Sequence, residues 1–188
     1  LVARAGEVPK TPAQLLQTAQ AVAEKLNAAN EEFVIGGATA MILHGIADRG
    51  TGDVDVAVPA GHDSRIKTRV LPGGKFKSNS KRRLVYETVT QTKTLLGRKK
   101  TVTVDVEIDV GPGYSIATRG PVMVKGLPLI NLLDLLDRKC AISRHKKDRQ
   151  DMGLIAKFLK AKRILTTANV WDEVPHCGSE PTVRKLFM

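Results

Sequence analysis

Glu32-Phe33-Val34-Ile35-Gly36-Gly37-Ala38-Thr39-Ala40-Met41-Ile42-Leu43-His44-Gly45, followed closely by Arg49-Gly50-Thr51-Gly52-Asp53-Val54-Asp55-Val56-Ala57-Val58-Pro59, is the stretch that decides the fold. Glu32 to Ile35 reads as a short strand stopped by two glycines. Ala38 to Leu43 reads as a compact apolar helix ended by Gly45, and Asp53 to Val58 alternates as a second strand that Pro59 closes. Glycines between a strand and a helix let backbone N–H groups approach a phosphate where the helix dipole favours an anion. A tight turn asks for the same residues. Asp53 and Asp55 stand at i and i+2, so both carboxylates leave the strand on one face. Held that close they repel each other, and burying them unpaired is costly. A divalent cation resolves the conflict, because Mg²⁺ takes one or two carboxylates and fills its shell with water and phosphate oxygens.

A third carboxylate is available on a later strand. Along Lys100 to Val110, Thr101, Thr103, Asp105, Glu107 and Asp109 share one face while Val102, Val104, Val106, Ile108 and Val110 share the other. Acids on one side of a strand with an apolar back suit a neighbour to the Asp53-Asp55 strand, and they also suit a solvated outer face. Glu107, near the middle of the run, is the first choice for the third acid, with Asp105 close behind.

Outward from this centre, Thr11-Pro12-Ala13-Gln14 opens a helix with Thr at the N-cap and Gln closing a capping box. Leu15, Leu16, Ala19, Val22, Ala23 and Leu26 carry its apolar stripe to about Asn27. His62 to Val70 is a short helix before a Pro72-Gly73-Gly74 turn. Leu84 to Thr90 pairs with Lys100 to Val110 through a Gly97-containing hairpin, and Val122 to Val124 is a last strand. Leu129 to Ile142 and Lys147 to Leu159 are helices, and the tail after Thr166 reads as irregular. The order implies an α+β fold, a small mixed β-sheet flanked by helices with a C-terminal helical segment. Residues 1–125 form the core, and 126–188 the helical segment and tail, possible as one continuous domain.

A chain of 188 residues with 42% apolar and 26% charged residues can bury roughly 70% of its unfolded surface without a staple. No apolar run approaches the ~18 residues of a membrane span, and Leu1 to Lys10 has no signal-peptide core. Starting at Leu rather than Met leaves room for a trimmed leader. Cys140 and Cys177 suggest no disulfide framework and no metal spacing, so a reducing, cytoplasmic compartment is the default. His44, His62, His145 and His176 form no ligand cluster, and His44 reads as a helix cap. The net charge of +11 is unevenly spread: between Arg65 and Lys100 twelve Lys and Arg stand against Glu87 alone. Such a field attracts RNA, nucleotide phosphates or acidic proteins, or is a solvated face; regular aromatics for base stacking are missing.

Taken together, Ile35 to Gly45 and Arg49 to Val56 resemble the signature of the DNA polymerase β-type nucleotidyltransferase superfamily, in the small stand-alone branch of AbiEii-type toxins and antibiotic nucleotidyltransferases. That branch writes Gly-Gly, a short helix, His-Gly, Arg-x-Thr and Asp-x-Asp in this order. The resemblance implies that Gly36 and Gly37 hold the triphosphate and that Asp53 and Asp55 bind Mg²⁺ (or Mn²⁺), with Glu107 or Asp105 completing the metal site and helping to deprotonate the acceptor. Arg49 and Thr51 would shape the loop into the metal strand, near the nucleotide. A weaker match, Leu132 to Lys139 followed by Arg144 to Asp151, resembles the helical part of the branch. It implies a functional Lys139 against the triphosphate and Asp148 on the nucleotide.

The expected activity is transfer of a nucleoside monophosphate from a nucleoside triphosphate, ATP among them, to a hydroxyl on RNA or tRNA, a protein or a small molecule. The alternative is an inactive binding module of the same fold, for nucleotide or nucleic acid. A toxin governed by a partner protein is a third expectation.

Overall fold

A computed structural model of the chain describes residues 10–46, 50–72, 77–78, 83–93, 99–110, 118–142 and 146–188. Helix α1 (Pro12–Ala28) begins where the sequence places it. Gln14 N–H donates to Thr11 Oγ1 at 3.2 Å and Thr11 N–H donates to Gln14 Oε1 at 2.9 Å, so each side-chain oxygen satisfies the other residue's otherwise orphaned backbone donor. Strand β1 (Val34–Ile35), α2 (Gly37–Leu43) and β2 (Asp53–Val58) follow. A short turn of helix, α3 (Asp63–Arg65), runs on as a π turn over Ile66–Val70. Strands β3 (Lys77–Ser78), β4 (Arg83–Lys93), β5 (Lys99–Val110), β6 (Val122–Val124) and β7 (Leu127–Leu129) complete the sheet. The chain ends in α4 (Leu132–Ile142), α5 (Lys146–Ala161), α6 (Val170–Glu173), a 3₁₀ turn (Pro175–Ser179) and α7 (Pro181–Phe187).

Among the described residues the sheet has the strand order β3-β4-β5-β2-β1-β7-β6. The β2/β5 and β1/β7 pairs are parallel and the others antiparallel, so the sheet is mixed and the fold is α+β. One face presents Ile35, Val54, Val56, Val58, Val104, Val106 and Ile108 to the apolar stripe of α1 and to Ile66 and Val70. On the other face Val34 and Ala57 join a second core with Met41 and the C-terminal helices. Period-2 alternation puts Asp53 and Asp55 on the same face as Ala57. The acids therefore share their side of the sheet with the helical segment.

Three sequence expectations change. Leu129 belongs to β7 rather than to a helix, and α4 starts at Leu132, where Asn131 Oδ1 accepts from the Leu133 N–H at 2.9 Å. The β6/β7 hairpin turns at Lys125 and Gly126, both at positive φ, a conformation suited to two-residue hairpins. The tail is not irregular: α6, the 3₁₀ turn and α7 bury Val170, Val174, Cys177, Val183 and Phe187 in the second core. Cys140 and Cys177 form a disulfide, which overturns the expectation that they stay apart. The tail folds back over α4 and brings them together: His176 N–H and Nδ1 meet the Asp137 carboxylate at 2.9 and 2.7 Å. Among the described residues no helix is long and apolar enough to cross a membrane.

Candidate active site

Strand β2 lies parallel to β5 with Asp53 opposite Asp105, Asp55 opposite Glu107 and Ala57 opposite Asp109. Neighbouring strands stand about 4.8 Å apart, so two carboxylates on β2 face a ladder of carboxylates on β5. Val104, Val106 and Ile108 are fully buried behind them, whereas Asp105 is exposed and Asp53, Asp55, Glu107 and Asp109 are half-buried. The alternation that fills the core is the same alternation that keeps the acids in reach of solvent.

The glycine turn sits directly on this ladder. β1 pairs antiparallel with β2, and Gly36 N–H extends the pairing by donating to the Asp55 carbonyl at 2.9 Å. Gly37 adopts φ +60°, and a Cβ placed on it would lie 1.7 Å from Asp55 Oδ2. No other residue fits there without moving the carboxylate. Gly36 differs, since its φ of −119° suits any residue and a Cβ would meet nothing within 4 Å. Contacts with the described residues do not require glycine at that position.

Two threonines fix the first acid. Thr51 Oγ1 donates to Asp53 Oδ1 at 2.7 Å, and Thr39 Oγ1, from the buried face of α2, donates to the Asp53 carbonyl at 2.8 Å. Thr51 is itself held by a backbone bond from Lys10 N–H to its carbonyl at 2.8 Å. Arg49 lies outside the described residues, as do Arg144 and His145.

The helical segment contributes a neighbour that sequence reading missed. Arg138 Nη2 donates to Asp109 Oδ2 at 3.2 Å, so α4 places a cation at the end of the acid ladder. Lys139, one residue on and therefore turned about 100° around the helix, points elsewhere. Its ammonium lies 2.8 Å from Asp151 Oδ2 and 3.5 Å from Asp148 Oδ1, buried between α4 and α5. The structure brings Lys139 and Asp148 together, with Asp151, which is wholly buried, as the nearer partner. The one-residue offset from Arg138 to Lys139 on an amphipathic helix was the available signal.

The histidines are dispersed. His44 caps α2, and its Nε2–H donates to the Ile130 carbonyl at 2.9 Å. Burial lowers its pKa below the usual imidazole value, with that backbone bond partly opposing the shift. His62 meets the buried Glu31 at 2.7 Å and His176 meets Asp137.

Hard oxygen donors on one strand face suit Mg²⁺ rather than a soft ion, and the side-chain-free Gly36 leaves space beside them. Among the described residues, no three Asp, Glu, His or Cys side chains are grouped so that they could hold a metal ion. A carboxylate pair completed by water and phosphate oxygens fits better than an all-protein site.

No protein-family model matches the chain, and no curated protein matches its sequence. Solved structures share its fold, among them two from Helicobacter pylori. A candidate nucleotidyltransferase from H. pylori superposes with a TM-score of 0.53 at 15% identity, over 95% of this chain and 88% of that one. JHP933 from Helicobacter pylori superposes with a TM-score of 0.52 at 18% identity, over 86% of this chain and 72% of that one. The chain thus has a nucleotidyltransferase-like fold.

Proposed function

We propose that the chain is a metal-dependent nucleotidyltransferase that moves a nucleoside monophosphate from a nucleoside triphosphate to a hydroxyl acceptor. The observation that carries this reading is the contact of the Asp55 carboxylate with Gly37, in register with Glu107 on the adjacent strand. It places acids beside a turn whose Gly36 keeps open room.

Asp53 and Asp55 would hold Mg²⁺, with Glu107 alongside, and the ion would supply charge neutralisation at the phosphoryl oxygens. The chain's own groups account for the rest. Thr51 and Thr39 orient Asp53 from side chain and backbone. Gly36 and Gly37 let the backbone approach the triphosphate without a side chain in the way. The acceptor oxygen bonds to the α-phosphorus as the bond to pyrophosphate breaks, and Glu107 accepts the hydroxyl proton, with Asp105 as the neighbouring candidate. Lys139 joins α4 to α5 through its ion pairs with Asp151 and Asp148, and its assignment to the triphosphate, like that of Asp148 to the nucleotide, rests on the resemblance. The role of Arg49 rests on the motif alone.

RNA is the preferred acceptor class. The basic stretch leads into β4, which pairs with β5 along its length and sets Arg83 opposite Asp109, so the cations run into the strand next to the acids. A protein hydroxyl is second. The AbiEii-type assignment rests on the motif order from Gly36 to Asp55. Incubation with total RNA, Mg²⁺ and each labelled nucleoside triphosphate tests the reading. Label on RNA or protein supports it. Nucleotide binding without transfer would mark a binding module instead.

A further inference from the structure

We propose that the groove between α5 and α7 is a docking site for an acidic amphipathic helix of a partner protein. The groove has a volume of about 760 Å³ and lies on the face of α5 turned away from the core. Lys146, Arg149, Gly153 and Lys157 recur at i, i+3, i+7 and i+11 along it, whereas Asp151, Met152, Ile155, Ala156 and Leu159 point the opposite way into the protein. The cations span about 16 Å of helix, and Lys185 of α7 faces them across the groove.

Gly153 makes the groove what it is. A Cβ there would lie 3.3 Å from Thr182 Cγ2, so α7 packs closely against a side-chain-free position and leaves a seam between the helices. Half-buried Leu154 and Leu186 line that seam. Among the described residues the lining contains no carboxylate and no aromatic residue.

The combination selects the partner. A polynucleotide would use the cations but leave the leucines uncovered, and its bases would find no ring to stack on. An amphipathic helix with acidic flanks uses both: its apolar side chains cover Leu154 and Leu186, and its carboxylates reach the lysine and arginine rim. The volume suits a few side chains rather than a folded domain. This site is separate from the acid ladder and does not depend on the proposed chemistry.

A displayed library of randomised 14-residue helices, selected on the full chain, tests the proposal. Selection should enrich Leu or Ile at i and i+3 or i+4 flanked by Asp and Glu. Binding of the enriched peptides should weaken at least tenfold in the Leu154→Asp variant and in the Lys157→Glu/Lys185→Glu variant, the latter at exposed positions that leave the core untouched, and should fall with added salt. Enriched peptides lacking that pattern, peptides that bind both variants as well as wild type, or no enrichment would overturn it. So would a 20-residue oligouridine that binds tighter than the peptides and loses affinity in the same variants.

Discussion

The Oδ2 of Asp55 lies where the first side-chain carbon of residue 37 would have to be, 1.7 Å from an ideal Cβ on Gly37. The two residues are 18 positions apart and belong to different elements. The close approach follows from β1 and β2 pairing antiparallel while the chain turns away at once into α2. Gly37→Ala should push the Asp55 carboxylate aside and impose a left-handed conformation on alanine. We expect a stability loss of about 1–2 kcal/mol, and a fall in transfer larger than unfolding explains. Gly36→Ala should leave stability within about 0.5 kcal/mol of wild type, since an added Cβ meets none of the described residues within 4 Å. Denaturant titration alongside a transfer assay separates the two.

Lys139 and Asp151 make a buried ion pair across α4 and α5. Asp151→Ala leaves a buried ammonium with only the longer contact to Asp148, and should cost on the order of 3 kcal/mol. Lys139→Met/Asp151→Leu, which removes both charges at similar volume, should recover most of that loss. Urea midpoints for the single and double variants check the pair, and a double variant no better than Asp151→Ala would contradict it.

The Cys140–Cys177 disulfide closes a loop of sequence separation 37. Loop-closure entropy for that length gives about 3–4 kcal/mol of stabilisation. Unfolding with and without reductant should show a drop of that order, and the Cys140→Ser/Cys177→Ser variant should match the reduced protein.

His44 is held below its ordinary pKa by burial. The unfolded state therefore binds the proton more readily, and stability rises with pH between the folded value and the ordinary imidazole value of 6.5. The contribution is complete above that value and is lost as pH falls through the folded pKa. His44→Gln should flatten this dependence. Unfolding free energies at pH 7.5 and 5.5 should differ less in the variant than in wild type.

Local signals in this chain were legible. The Thr11 capping box, the alternation of Asp53 to Val58 and the two-faced pattern of Thr101 to Val110 each involve residues within a few positions of one another, and each element formed where expected. Pairing β4 with β5 was also readable, although the turn at Gly97 lies outside the described residues. What failed was non-local or too short. Pro128 disguised β7, because proline rarely signals a strand, and Leu129 then looked like part of the leucine-rich helix. Helices of four and seven residues in the tail carry too few repeats for periodicity to show. The disulfide depends on the tail folding back onto α4, which nothing near Cys177 announces. At the site, the shared strand face of Asp53 and Asp55 was visible in the sequence, but the contact with Gly37 and the reach of Arg138 to Asp109 required the folded sheet.

The most direct measurement is transfer of label from a nucleoside triphosphate to acceptor by wild type, Asp53→Asn, Asp55→Asn and Glu107→Gln, each checked for folding. Both aspartate variants should be inactive with stability unchanged or raised, as like charges are relieved, and Glu107→Gln should fall by about 10²-fold or more. Transfer at the wild-type rate by a folded Asp53→Asn/Asp55→Asn double variant would contradict the account.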